Sequence, residues 1–158
     1  MTVAYLGLGA NLGDRAANLA EAARRIASPQ MRVQRISSTW ETAPRGLVDQ
    51  PWFLNQVIEV ATDFAPVELF QHIQKVEREM GRVRAEPNGP RLIDIDILLY
   101  GDQQVSAPGL EIPHPRMSER RFVLEPLAEL APGVRHPVTG KTAREMLALV
   151  KDQVAQSV

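Results

Sequence analysis

The residues best suited to chemistry cluster in one stretch, Gly89-Pro90-Arg91-Leu92-Ile93-Asp94-Ile95-Asp96-Ile97-Leu98. Alternation puts Ile93, Ile95 and Ile97 on one face of a strand and Asp94 and Asp96 on the other. Two residues apart on a strand means side chains about 6.5 Å apart, pointing the same way. An outward-facing acidic pair of this kind is often only a solvated surface. Two neighbouring carboxylates repel, however, and a cation between them removes that cost. Hard divalent ions take such ligands, and Mg2+ completes its shell with phosphate oxygens and water. Arg91 lies directly before the pair, and Arg82 and Arg84 open the polar loop leading into it. A carboxylate-held metal beside several arginines suits phosphoryl transfer, where charge on the phosphate chain must be neutralised as it shifts. Salt bridges between these Arg and Asp residues are the structural alternative.

Two further groups could serve the same chemistry. Ile112-Pro113-His114-Pro115-Arg116-Met117 holds a histidine between two prolines, ahead of Arg120 and Arg121, where it is placed to contact phosphate as well as to play a structural part. Phe53 and Asn55 fall on one side of a strand, an aromatic ring beside an amide, which suits a flat heterocycle with a polar edge. Read without its neighbours, Phe53 fits a core residue better than a ligand contact.

Fifteen of the eighteen basic residues are Arg, the exceptions being Lys75, Lys141 and Lys151, and seven of the arginines fall from Arg78 to Arg121. A codon bias explains the scarcity of Lys but not this placement. The planar guanidinium fork matches two phosphate oxygens at once, which an ammonium does not.

The elements that must position these groups can be traced from periodicity. Thr2 to Leu8 reads as a strand that breaks at Gly7-Leu8-Gly9-Ala10-Asn11. From Asp14, an N-cap, Leu19, Ala22, Ala23 and Ile26 recur at helical spacing up to Ser28-Pro29. Met31 to Ile36 alternates and stays extended to about Thr42, Ala43 to Pro51 is a loop, and Phe53 to Thr62 is a strand. Pro66 opens a helix carrying Leu69, Phe70, Ile73, Val76 and Met80. A polar loop from Gly81 to Pro90 precedes the strand Ile93 to Tyr100. A small hairpin around Gly101 to Ile112 and helices over 119–130 and 143–154 complete the chain. The order β-α-β-β-α-β predicts an α+β, ferredoxin-like domain, with a mostly antiparallel sheet and helices packed on one face.

At 158 residues, 44% apolar and 23% charged, the chain fits a single globular domain over 1–158. No apolar run is long enough to cross a bilayer, and the N-terminus lacks a basic-then-apolar leader. The net charge of -1 gives no general attraction to nucleic acid or anionic membrane. The absence of cysteine excludes disulfides, thiolate metal sites and cysteine nucleophiles, and a cytoplasmic monomer is the simplest expectation.

Two apparent nucleotide motifs fail. Gly140-Lys141-Thr142 resembles the end of a phosphate-binding loop, but the required earlier glycine is Arg135. Thr142 as a helix cap with Glu145 closing a capping box is the better reading. Gly7-Leu8-Gly9 lacks the third glycine of a dinucleotide fingerprint, position 12 being Leu12, and a tight strand-to-helix turn accounts for these glycines.

Taken together, six segments resemble the 6-hydroxymethyl-7,8-dihydropterin pyrophosphokinases of folate biosynthesis. They are Gly9-Ala10-Asn11-Leu12-Gly13-Asp14, Glu41-Thr42-Ala43-Pro44, Asp49-Gln50-Pro51-Trp52-Phe53-Leu54-Asn55, Gly81-Arg82-Val83-Arg84, Gly89-Pro90-Arg91-Leu92-Ile93-Asp94-Ile95-Asp96 and Pro113-His114-Pro115-Arg116-Met117 through Arg120 and Phe122. The resemblance implies transfer of diphosphate from ATP to the hydroxymethyl dihydropterin, giving AMP and the pterin diphosphate. It implies two Mg2+ ions on Asp94 and Asp96, with Arg82 and Arg91 catalytic. ATP would be gripped by Arg84, His114 and Arg120, with Gln74, Glu77 and Ile97 beside it. The pterin would lie between Phe53 and Phe122, its edge read by Asn55 and by the backbone around Thr42, Pro44 and Gly46. The loops 43–51 and 82–90 would close over the substrates. Asn88, preceded by Pro87, stands where some relatives have a loop aromatic, and Ser118 where many have His. A non-catalytic ferredoxin-like ligand-binding module is the alternative, and it leaves the Asp pair and the Arg cluster without a role.

Overall fold

The computed structural model describes residues 1–43, 51–81 and 92–153 and the backbone of 156–157. Its central sheet is built around β1 (Thr2–Ala10), which pairs antiparallel with β4 (Phe53–Thr62) on one side and β5 (Asp94–Tyr100) on the other. β2 (Met31–Ile36) and β3 (Trp40–Thr42) lie end to end along the far side of β4. Between them Ser37 breaks the ladder but stays attached, its Oγ accepting from Val57 N at 2.9 Å. The expected extended run from 31 to 42 is therefore two short strands with one hinge. β5 forms one edge of the sheet, and a two-residue strand at Gln156–Ser157 pairs with β3 at the other.

Helix α1 (Arg15–Ile26) starts at the predicted cap, Asp14 accepting from Ala17 N at 3.1 Å. Helix α2 (Pro66–Glu79) opens on Pro66, and Glu68 closes its first turn by accepting from Ala65 N at 2.9 Å. Both pack on one face of the sheet, where Leu19, Ile26, Leu69 and Ile73 meet Leu6, Leu8, Ile95 and Ile97. That β-α-β-β-α-β unit, with the order β5-β1-β4 and β2/β3 outermost, is the α+β, ferredoxin-like architecture expected.

The remaining helices, expected on the same face, cover the opposite one. α3 (Arg121–Leu130) and α4 (Ala143–Ala148) bury Leu124, Leu127 and Met146 against Tyr5, Val57 and Leu98. Alternation already places Tyr5, Val57 and Leu98 on that face, and a register shift between Tyr5 and Leu6 disturbs the alternation of β5 and adds Leu99 to it. α3 also starts later than the periodicity suggests. Met117–Glu119 is a separate 3₁₀ turn, and Arg120 is extended (φ -121°, ψ 109°). α4 ends at Ala148 rather than Val154: Leu149 N and Val150 N donate only three residues back, to Met146 O and Leu147 O, and beyond them the carbonyls of Lys151 and Gln153 accept from Arg121. Its start is as predicted, with Thr142 and Glu145 forming the capping box. β6 (Val105–Ala107) and β7 (Leu110–Ile112) make the expected hairpin.

Among the described residues, no helix is long and apolar enough to cross a membrane.

Candidate active site

Sheet register assembles the chemistry. Asp94 lies opposite Gly9, and Gly9 opposite Asn55; one step along, Asp96 lies opposite Gly7, and Gly7 opposite Val57. With strands about 4.8 Å apart, the Asp94 and Asn55 backbones are about 10 Å from each other across one glycine. All four positions point to the face covered further along by α3, since Ile95 and Ile97 occupy the α1/α2 face. The acidic pair and the heterocycle pair, widely separated in sequence, thus share one floor.

Gly7 and Gly9 do not form the turn that their spacing suggests. β1 runs through both to Ala10, and the positive φ belongs to Gly13 (71°), which makes the bend before α1. What Gly9 contributes is room. A Cβ there would stand 3.2 Å from Asn55 Oδ1 and 3.8 Å from Phe53 Cδ1. The same numbers place Phe53 and Asn55 side by side over the strand, as their alternation predicts.

Asn55 is held from behind. Its Nδ2 donates to Thr42 Oγ1 at 2.8 Å and to Trp40 O at 3.2 Å, leaving Oδ1 on the Gly9 side. Thr42 is buried, and its hydroxyl bears on this face by orienting Asn55. Phe122 sits in the first turn of α3, and the Arg120 guanidinium carbon lies 5.6 Å from its ring centroid. That is cation-π distance, and it fixes the two residues relative to each other.

Asp94 and Asp96 are half-buried. They fit a hard divalent ion: two same-face carboxylates over glycine backbone, in a chain without cysteine. Among the described residues no group of three His, Asp or Glu side chains converges to cage a metal, which leaves coordination positions for phosphate oxygens and water.

His114 is brought to the edge of this floor by a backbone bond, its N–H donating to Leu98 O at 3.0 Å. Its Nδ1 accepts from Arg116 N at 3.2 Å, and its Nε2 lies 4.0 Å from Asp96 Oδ1. Burial holds the imidazole below its ordinary pKa, and the positive charges of Arg120 and Arg116 push it further down against a smaller opposing pull from Asp94. The ring is therefore neutral at pH 7. With Nδ1 accepting, the proton is on Nε2, the nitrogen that faces Asp96.

A cavity of about 400 Å³ opens along the outer edge of β5, bounded by Ile97, Asp96, His114, Phe70, Ile73 and Leu110. Apolar residues line it together with the carboxylates of Asp96 and Glu111, the Ser106 hydroxyl and the His114 imidazole, a mixture found in small-molecule sites. Of the other residues assigned to ATP, Gln74 is half-buried on α2 and Glu77 is buried, its Oε2 accepting from Ile95 N at 3.0 Å. Glu77 thereby satisfies a donor on the edge strand rather than facing the cavity. Arg82, Arg84 and Arg91, together with Pro44, Gly46 and the rest of the loop residues 44–50 and 82–90, lie outside the described residues.

A family model described as 7,8-dihydro-6-hydroxymethylpterin-pyrophosphokinase matches residues 5–132. A protein of Methylorubrum extorquens named 2-amino-4-hydroxy-6-hydroxymethyldihydropteridine pyrophosphokinase is 47% identical over 149 residues, 94% of this chain and 93% of its own length. The protein of the same name from Bacillus subtilis is 42% identical over 138 residues, 87% of this chain and 83% of its own. Among solved structures, Plasmodium falciparum HPPK-DHPS overlays 94% of this chain with a TM-score of 0.72 at 16% identity, a likeness of fold. The chain spans 44% of that longer protein.

Proposed function

The chain belongs to the 7,8-dihydro-6-hydroxymethylpterin-pyrophosphokinase family, and from that membership we propose how its own residues carry out diphosphate transfer. The enzyme moves the β- and γ-phosphates of ATP together onto the hydroxymethyl group of 6-hydroxymethyl-7,8-dihydropterin, a step of folate biosynthesis. The hydroxyl oxygen attacks the β-phosphorus in line, the bond to the α-phosphate oxygen breaks, AMP leaves, and the hydroxyl proton passes to water.

The observation that carries this assignment is the cross-strand row Asp94–Gly9–Asn55. The pterin lies at the Asn55 end, between Phe53 and Phe122, with Asn55 Oδ1 accepting from the ring's N–H edge and the Thr42–Gly46 backbone completing the recognition. The nucleoside part of ATP occupies the cavity along β5 beside Ile97, and Gln74 and Glu77 support that wall from α2. The triphosphate then runs over Asp94 and Asp96, the gap between the two ends being about two strand spacings. Asp94 and Asp96 would hold the two Mg2+ ions that neutralise the triphosphate. His114 donates from Nε2 toward a phosphate oxygen, and Arg84 and Arg120 grip the same chain. Arg82 and Arg91 stabilise charge on the transferring group. No side chain needs to act as a base of unusual strength, because positioning and electrostatics carry reactions of this type.

We read the chain as one catalytic domain, a cytoplasmic monomer acting on small molecules, with neither nucleic acid nor membrane as a partner. The test is the nucleotide product, separated by chromatography after incubation of ATP and Mg2+ with the pterin alcohol. AMP formed in step with the pterin diphosphate is the expected result, and ADP would overturn diphosphate transfer.

A further inference from the structure

Helix α3 is capped from outside. Its own N-cap residue, Arg120, makes no side-chain capping bond and holds its guanidinium over the Phe122 ring. The backbone groups at this helix start are met instead by a side chain 32 positions downstream. Gln153 Oε1 accepts from Arg121 N at 3.0 Å, and Gln153 Nε2 donates to Glu119 O at 2.6 Å. Arg121 returns the contact, its Nη1 donating to Gln153 O at 2.7 Å and to Lys151 O at 3.0 Å. Its Nε donates to Glu125 Oε1 at 3.1 Å, which ties the same guanidinium into the second turn of α3.

The backbone beyond Gln153 reaches the other wall of the ring pocket. Gln156 and Ser157 pair with Glu41 and Trp40 on β3, and β3 supplies the Trp40 carbonyl and the Thr42 hydroxyl that orient Asn55. The segment after α4 is therefore fastened to both elements that carry the pocket. It also lies beyond residue 132, where the match to the family model ends.

We infer that Gln153 is a positioning residue for the dihydropterin pocket: by capping α3 through a carboxamide bridge from Glu119 O to Arg121 N, it holds Phe122 in place over the ring. A first helical turn whose N–H groups lose their acceptor frays. Ligand affinity then falls by the fraction of molecules in which the turn is formed. The inference rests on the reading of Phe122 as a wall of the pterin pocket.

The full-length chain with Gln153→Ala tests it, by steady-state kinetics at a temperature where circular dichroism shows the variant folded. The dihydropterin KM should rise about three- to tenfold, the scale of a lost helix cap, while kcat stays within about twofold. The Mg2+ dependence should not move, since Asp94 and Asp96 sit on β5. Gln153→Glu keeps an acceptor for Arg121 N but sets a carboxylate oxygen against Glu119 O, so it should recover only part of the loss. An unchanged pterin KM in Gln153→Ala, with only a lowered Tm, overturns the inference and leaves the tail a purely structural strap. Phe122→Ala is the control for the underlying reading. If it too leaves the pterin KM unchanged, the pocket assignment fails and takes this inference with it. If it raises the KM and Gln153→Ala does not, the inference alone fails.

Discussion

At the scale of single residues, the proposed site rests on two carboxylates and on the absence of a side chain at Gly9. Replacing Asp94 or Asp96 by Asn should lower kcat by at least about a hundredfold, as expected when charge stabilisation of phosphoryl transfer is lost. The fold should survive, because Ile95 and Ile97 carry the core contacts of this strand. Near-normal turnover of either variant at saturating Mg2+ would refute the role. Gly9→Ala tests the shared floor. Asn55 is tied back to Thr42 and Trp40, so it cannot retreat freely from a new Cβ at 3.2 Å. The pterin KM should rise about tenfold, the effect of roughly 1.4 kcal/mol, with the ATP KM unchanged. An equal loss for both substrates would place Asn55 elsewhere in the mechanism. The carboxylate pair and the Phe53–Asn55 pair are legible in sequence because strand alternation is local. The role of Gly9 is not, because the close approach that excludes a side chain comes from a strand more than forty residues away.

At the scale of elements, the connection from α3 to α4 contains the rejected phosphate-loop motif and shows what those residues do. His136 N donates to Lys141 O at 2.9 Å, Gly140 N donates to His136 O at 2.8 Å, and Arg135 pairs across to Thr142. The His136 ring closes the turn, its Nδ1 accepting from Val138 N and Thr139 N at 3.2 and 3.3 Å. Burial lowers the pKa of His136 from its ordinary 6.5. Between the lowered value and 6.5 the unfolded chain therefore binds more protons than the folded one. Stability is fully present above about pH 6.5 and is lost as pH falls through that window. His114, lowered for the reasons given above, acts with the same sign. Urea midpoints measured from pH 7.5 to 5.5 should fall, and His136→Asn should flatten that fall; an unaltered slope would show that His136 does not titrate in the window. The capping residues Asp14, Thr142 and Glu145 were legible, since caps are local chemistry. The end of α4 was not, because the segment that follows it is held by Arg121 of another helix.

At the scale of the molecule, three strands are joined by one ionic cluster. Tyr5 Oη donates to Glu59 Oε1 at 2.9 Å, and Arg35 Nη2 and Nε donate to the two Glu59 oxygens at 2.7 and 3.3 Å. The Arg35 bond holds the Glu59 carboxyl below its usual range, while burial first, and then Glu59, pushes the Tyr5 hydroxyl up to about 12. Glu59 therefore contributes stability that is present above its ordinary pKa and lost as pH falls through the lowered value. Glu59→Gln should cost about 1–2 kcal/mol, since the buried acceptor loses its charge while Arg35 stays half-exposed to water. Urea unfolding at pH 7 measures this. Both KM values should be unchanged, because Glu59 lies four residues, about 13 Å, along β4 from Asn55. A change in KM would mean that the cluster reaches the site.

The sequence by itself determined most of the elements, their order, the carboxylate pair and the family, because each rests on periodicity, capping or contiguous motifs that need no partner. Only the tertiary structure decided which face each helix covers, where α4 stops, that Gly7 and Gly9 lie within a strand, and that the C-terminal segment caps α3. Each of those outcomes depends on residues distant in sequence: a register shift between β1 and β5 that turns Leu99 toward α3, a strand that excludes a Cβ, and an arginine whose donors claim the carbonyls of Lys151 and Gln153. Local pattern fixes what a segment can form; the partner it meets fixes where it ends and what it faces.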